Sequence, residues 1–145
     1  MGFNVSVCSH LPNESECHHF LDRAYYVFVV TYGNFEEKSV VVRLGEALGL
    51  NLAPLCNLVY GFSLNPAKKY WQDVETITKL IEDLIGKLQA NPIIIDEISI
   101  PYPQDDDFFR EYIRSGELVE HLSTILKAIQ CLKGKGAKKV FFAAG

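Results

Sequence analysis

The run CSHLPNESECHH, residues 8–19, holds Cys8, His10, Cys17, His18 and His19, which are two of the four cysteines and three of the four histidines. Thiolate and imidazole are the donor types zinc prefers, and a Cys–His pair is also the starting point for thiol catalysis. In an extended strand Cys8 and His10 point to the same side, so they offer two ligands together. If a helix follows, Cys17 shares a face with Leu21 and Ala24, and His18 and His19 turn progressively away from it. All five therefore cannot converge on one ion. No C-x2-C pair is present, although structural zinc sites usually carry tight pairs of that kind. The expectation is Cys17 inward, the histidines mostly outward, and no metal or other cofactor. A small zinc- or thiol-dependent enzyme built on Cys8, His10 and Cys17 stands as the alternative.

Other catalytic vocabulary is sparse. There is no G-x-S-x-G, and KGKGA, residues 133–137, follows a helical pattern instead of opening one. It reads as a helix end and a turn. His121 and Cys131 share one predicted helix, but ten residues of helix separate them by about 15 Å. No catalytic set is assigned, and the chain is expected not to be an enzyme.

The elements that position these residues follow from periodicity. Phe3, Val5 and Val7 alternate with polar neighbours, so residues 3–9 read as a half-buried strand ended by Leu11-Pro12. Asn13 with Glu16 resembles a capping box, which predicts a helix carrying Cys17, Phe20, Leu21 and Ala24 on one face. Residues 25–32 are aromatic and β-branched, and either strand or helix suits them. Asn34 and Glu37 repeat the cap signal before a helix with Val40, Val41, Leu44, Ala47 and Leu48, with Gly49 just past its end. Residues 50–64 read as a short buried helical turn and a connector. Asn65-Pro66 predicts the start of a long helix over 67–90, striped by Trp71, Val74, Ile77, Ile81, Leu84 and Leu88. Glu75–Lys79 and Asp83–Lys87 are expected ion pairs along it. IIIDEISIP, residues 93–101, reads as a strand. A short helix follows to Arg114, with Asp106–Arg110 a pair. A second helix carries Leu118, Leu122, Ile125, Ile129 and Leu132, and residues 138–145 form a last strand. The fold class is α/β or α+β: a single domain whose small sheet has strands near both chain ends and is covered by helices.

At 145 residues and 48% hydrophobic composition the chain can bury one core. No apolar run approaches the roughly 18 residues of a membrane span, and no basic-then-apolar leader opens the chain. Four cysteines without a dense framework suggest free, mostly buried thiols in a reducing cytoplasm.

The net charge of −4 is uneven. Residues 93–120 balance to −6 and residues 121–145 to +5. An acidic middle repels phosphates and disfavours nucleic acid, but it suits a basic protein. Asp96 shares a face with Ile94, Ile98 and Ile100 on simple alternation. An acid there must be paired, or a bulge must turn it to solvent. Tyr102, Phe108, Phe109 and Tyr112 interleave with Asp105, Asp106 and Asp107. Phe108 and Tyr112, four apart, would seat the short helix, leaving Phe109 and Tyr102 free for a partner. Asp96, Glu97, Tyr102, Asp105, Asp106, Asp107 and Phe109 are thus the candidate partner-binding residues. A third possibility is an adaptor or oligomer subunit binding through the 67–90 helix.

The order LGLNLAPLCNLVYGFSL, VETITKLIEDLIGKL, NPIIIDEISIPYP and LVEHLSTILKAIQCLKGKGAKKVFF resembles small bacterial immunity proteins encoded beside polymorphic or contact-dependent toxins. Leu58-Val59-Tyr60-Gly61, Ile95-Asp96 and Pro101-Tyr102-Pro103 carry the likeness, which runs over roughly residues 44–143. Ile95 stands where that group has an aromatic. The resemblance implies a cytosolic, non-enzymatic protein that occludes a cognate toxin, often a basic nuclease. It implies no cofactor, no nucleic-acid partner and no membrane.

Overall fold

The computed structural model describes residues 3–11, 14–17, 19–33, 39–61, 65–100 and 106–145. In chain order the elements are β1 (Val5–Cys8), a 3-10 turn (Glu14–Cys17), α1 (Arg23–Tyr26) running on as a wide π turn (Val27–Thr31), α2 (Val40–Ala47) and a 3-10 turn (Ala53–Cys56). Then come β2 (Leu58–Tyr60), a 3-10 turn (Lys68–Tyr70), β3 (Gln72–Asp73), α3 (Val74–Ala90), a 3-10 turn (Ile94–Glu97), α4 (Asp106–Arg114), α5 (Glu117–Gly134) and β4 (Lys139–Ala144). The fold is α+β, with a small mixed sheet whose strands come from both chain ends.

Every other strand pairs with β4. β1 runs antiparallel to it, Val5 opposite Ala144 and Cys8 opposite Phe141. β2 runs parallel to it, Leu58 opposite Phe142, and β3 is antiparallel at its start. A central strand is covered on both faces and so reads as a nearly continuous apolar run, as KVFFAA does. Val140, Phe142 and Ala144 join Val5 and Val7 in the main core. Phe141 points to the opposite face, where Trp71 meets its ring edge-on at 4.8 Å.

The helices pack on the main-core face and on one another. Glu75 in the first turn of α3 pairs with Lys133 in the last turn of α5 at 2.6 Å, which sets the two helices antiparallel. The stripe Val74, Ile77, Ile81, Leu84 and Leu88 is buried against this core. That stripe is thus occupied within the chain.

Several expectations are corrected. The long helix starts at Val74, not near 67, because Asp73 caps it by accepting from the Thr76 N–H, and residues 72–73 pair with β4 instead. Asn65 and Pro66 precede a 3-10 turn. In the stretch expected to be a strand over 93–101, the described residues 93–100 form none: a 3-10 turn at Ile94–Glu97 lets Ile94, Ile95 and Ile98 point inward while Asp96 and Glu97 face solvent. A turn of three residues per repeat satisfies that pattern better than alternation does. Residues 14–24 form no single helix. Leu21 bridges to Val5, Phe20 is exposed, and Asp22 caps α1 through the Ala24 N–H. Ser39 caps α2, and Gly49 follows that helix with φ 76°, the left-handed turn that glycine adopts freely. Asn13, Asn34 and Glu37 lie outside the described residues. Leu58–Tyr60, taken for connector, is a strand. Lys79 pairs with Asp83 and Glu75 with Lys133, in place of the expected Glu75–Lys79 and Asp83–Lys87 pairs.

Of residues 25–32, all but the last are helical, and their rings face α4. Phe28 stacks on Phe109 at 5.7 Å and Tyr32 on Phe108 at 5.8 Å, so the aromatic run exists to meet other aromatics. Cys17 is buried as expected, but it is bonded to Cys131 across 114 residues, which corrects the expectation of free thiols for this pair. Neither Cys8 nor Cys56 is in a disulfide.

Replacing Cys17 and Cys131 together by alanine is expected to lower the unfolding free energy of the oxidised protein by about 2–5 kcal/mol. Urea titration of the variant against the wild type, both without reductant, measures it. Phe109→Ala is expected to cost about 3–5 kcal/mol by the same method.

Candidate functional site

The acidic segment is real but differently composed from the sequence expectation. Asp96 and Glu97 are exposed on their 3-10 turn, and Asp107 and Glu111 are exposed on α4. Arg110 reaches back and donates to the carbonyls of Ile95 and Ile98, the latter at 2.8 Å; its expected partner, the Asp106 side chain, lies outside the described residues. That clamp ties the 3-10 turn to α4 and keeps the carboxylates outside. Arg114 donates to Asp96 at 2.7 Å and lies 3.9 Å from Glu111, so it neutralises part of the ridge.

Phe109 is corrected from partner-binding to core. It is fully buried against Phe28 and Tyr32. Tyr112 and Ile113, at the next turn of α4, are buried with it, so the inward face centres on residue 109 instead of 108. Tyr102, Asp105 and the Asp106 side chain lie outside the described residues.

The opening stretch assembles no metal centre from Cys8, His10 and Cys17. Cys17 is in a disulfide, His10 is exposed beside Trp71, and the Cys8 thiol lies 3.7 Å from the Ser6 hydroxyl. His19 is exposed, and His18 lies outside the described residues. Cys56, also outside the disulfide, lines an open groove of about 560 Å³ with Gly33, Pro54 and Gln72. Burial pushes that thiol up to about 12. That thiol is thus no ready nucleophile at neutral pH.

A different cluster forms where α1, α4 and α5 meet. Asp22, Glu117 and His121 each bring one ligand-type atom within 4.8 Å of the others. Glu117 and His121 are one helical turn apart at the start of α5, so they share a face. Asp22 arrives from the cap of α1, with its Oδ1 3.6 Å from His121 Nε2. The far side of the imidazole is held: Nδ1 shares a 2.6 Å hydrogen bond with the Tyr112 hydroxyl, and the Tyr25 ring stands edge-on to it. Burial above all, then Tyr25, Glu117 and Asp22 nearby, raises the Tyr112 hydroxyl far above its ordinary value, so it stays protonated. The Tyr25 hydroxyl is raised likewise, chiefly by burial and then by Cys56.

The sequence offered part of this. ELVEH, residues 117–121, places Glu117 and His121 at helical spacing, a signal that attention to Cys131 as the partner of His121 passes over. Asp22 and Tyr112 reach the site only through tertiary packing. No family model, curated protein or solved structure matches the chain.

Buried protonated Cys56 has a sign-definite consequence. Its folded value lies above the unfolded one, so its stabilising contribution is complete below about pH 9 and is lost as pH rises toward about 12. Urea unfolding followed across that range is expected to show falling stability. In Cys56→Ala the fall is shallower, because one group no longer ionises preferentially in the unfolded chain.

Proposed function

We propose that the chain is a binding protein that neutralises a basic partner, in the manner of the toxin-neutralising immunity proteins its sequence resembles. The observation that carries this reading is the ridge of Asp96, Glu97, Asp107 and Glu111. It is exposed and set on two short elements that Arg110 locks together. A preorganised acidic ridge favours fast, electrostatically steered encounter with a basic surface such as that of a nuclease. It disfavours nucleic acid itself. Arg114 supports the reading in a second way, since cationic groups of a partner would compete with it for Asp96 and Glu111. The partner-binding set is therefore Asp96, Glu97, Asp107 and Glu111, with Tyr102, Asp105 and Asp106 retained from the sequence. In the cytosol, where such a protein acts, thiols are held reduced. There Cys17 and Cys131 would position their segments by packing alone.

The test uses the purified chain and the toxin domain encoded by the adjacent reading frame. The triple variant Glu97→Lys, Asp107→Lys, Glu111→Lys is expected to associate at least about 10-fold more slowly at low salt, with a much weaker dependence on ionic strength. Unchanged association and unchanged inhibition would remove this ridge as the docking surface. A wild-type chain that fails to bind that domain at all would remove the toxin reading.

A further inference from the structure

We infer that Asp22, Glu117 and His121 form a zinc-binding site. Three independent features point to one ion. The donor atoms of all three residues already lie within 4.8 Å of one another. Zinc bonds of about 2.0–2.2 Å need those atoms at about 3–3.5 Å, so side-chain shifts of about 1 Å close the set. The imidazole is also braced as a ligating histidine is: Nδ1 is held by the Tyr112 hydroxyl while Nε2 lies 3.6 Å from Asp22 Oδ1. In the metal-bound form Nδ1 carries the proton and donates to the Tyr112 oxygen, and Nε2 is free to bind. Finally, the site has an entrance. Asp22 is exposed, whereas His121 is mostly covered, so an ion enters from the Asp22 side.

The donor set selects the metal. One imidazole and two carboxylates suit zinc, which has no electronic preference for geometry and tolerates an irregular cage. Magnesium and calcium favour all-oxygen sites. Three protein donors leave one zinc position open to solvent. Three of the four cysteines do not compete: Cys17 is bonded to Cys131, and the Cys56 thiol resists ionisation. The proposal does not depend on the acidic ridge, which lies on different residues.

The test is calorimetric titration of zinc into the full chain after chelator treatment, with circular dichroism to confirm folding. The wild type is expected to bind one equivalent and to melt at a higher temperature in zinc than in magnesium. His121→Ala should abolish that binding. Asp22→Asn keeps a side chain that caps a helix equally well, so its expected loss of affinity reports on ligation and not on folding. Tyr112→Phe, which removes only the bracing hydroxyl, should weaken binding about 10–100-fold. Three outcomes would overturn the proposal: no stoichiometric binding, equal affinity for magnesium, or zinc binding that survives both His121→Ala and Asp22→Asn. The last would mean capture by Cys8 or the surface histidines.

Discussion

The rest of the molecule depends on how the N-terminal segment is laid along α5. Cys17 is bonded to Cys131 near the end of that helix, and Asp22 meets His121 near its start. Ten helical residues rise about 15 Å. Five chain steps, from residue 17 to residue 22, cover about 16–17 Å only when nearly extended. The segment therefore passes along the helix in the opposite direction. Leu21 bridges to Val5, and the described residues 19–22 are not helical. Lys135 reinforces the far end by donating to Glu16 at 2.6 Å, which holds the Glu16 carboxyl below its usual range. β1 continues the same tie, since its pairing with β4 closes the chain's two ends on each other.

That strap explains why parts of the sequence mislead. Cys17, Leu21 and Ala24 do fall at helical spacing, yet Cys17 and Leu21 are buried for other reasons, one by a disulfide and one by a bridge. Local pattern cannot distinguish a helical face from an extended strap with buried ends, because both place an apolar residue every few positions. The 93–100 stretch fails similarly. Its isoleucines suit a strand, but a 3-10 turn buries three of them and frees Asp96 and Glu97 without the cost of an inward acid. The elements that were legible are those whose signals are both local and strong: the terminal strands, the striped bodies of α3 and α5, and the glycine after α2. In α4, Phe108 and Tyr112 do pack on the core, but Phe109 is buried as well. Phe108 and Phe109 are chemically alike; both meet the Tyr32 ring, and Phe28 stacks on Phe109.

The two candidate sites differ in the same respect. The acidic ridge is a property of consecutive residues, so composition alone located it; the structure adds the Arg110 clamp and removes Phe109. The Asp22–Glu117–His121 cluster joins positions nearly a hundred residues apart and depends on the strap. Its only local trace is the Glu117–His121 spacing. The ligand-rich run that begins at Cys8 supplies, in the end, an anchor: its Cys17 fastens the segment that delivers Asp22 to α5.

Anomalous diffraction at the zinc edge, from crystals of the oxidised chain grown with zinc, tests this account most directly, because one map reports both the strap and the cluster. The account predicts a Cys17–Cys131 bond and an anomalous peak bounded by Asp22, Glu117 and His121, with Tyr112 on the far side of the imidazole. A peak between Cys8 and His10 with none at His121, or Asp22 standing away from α5, would contradict it.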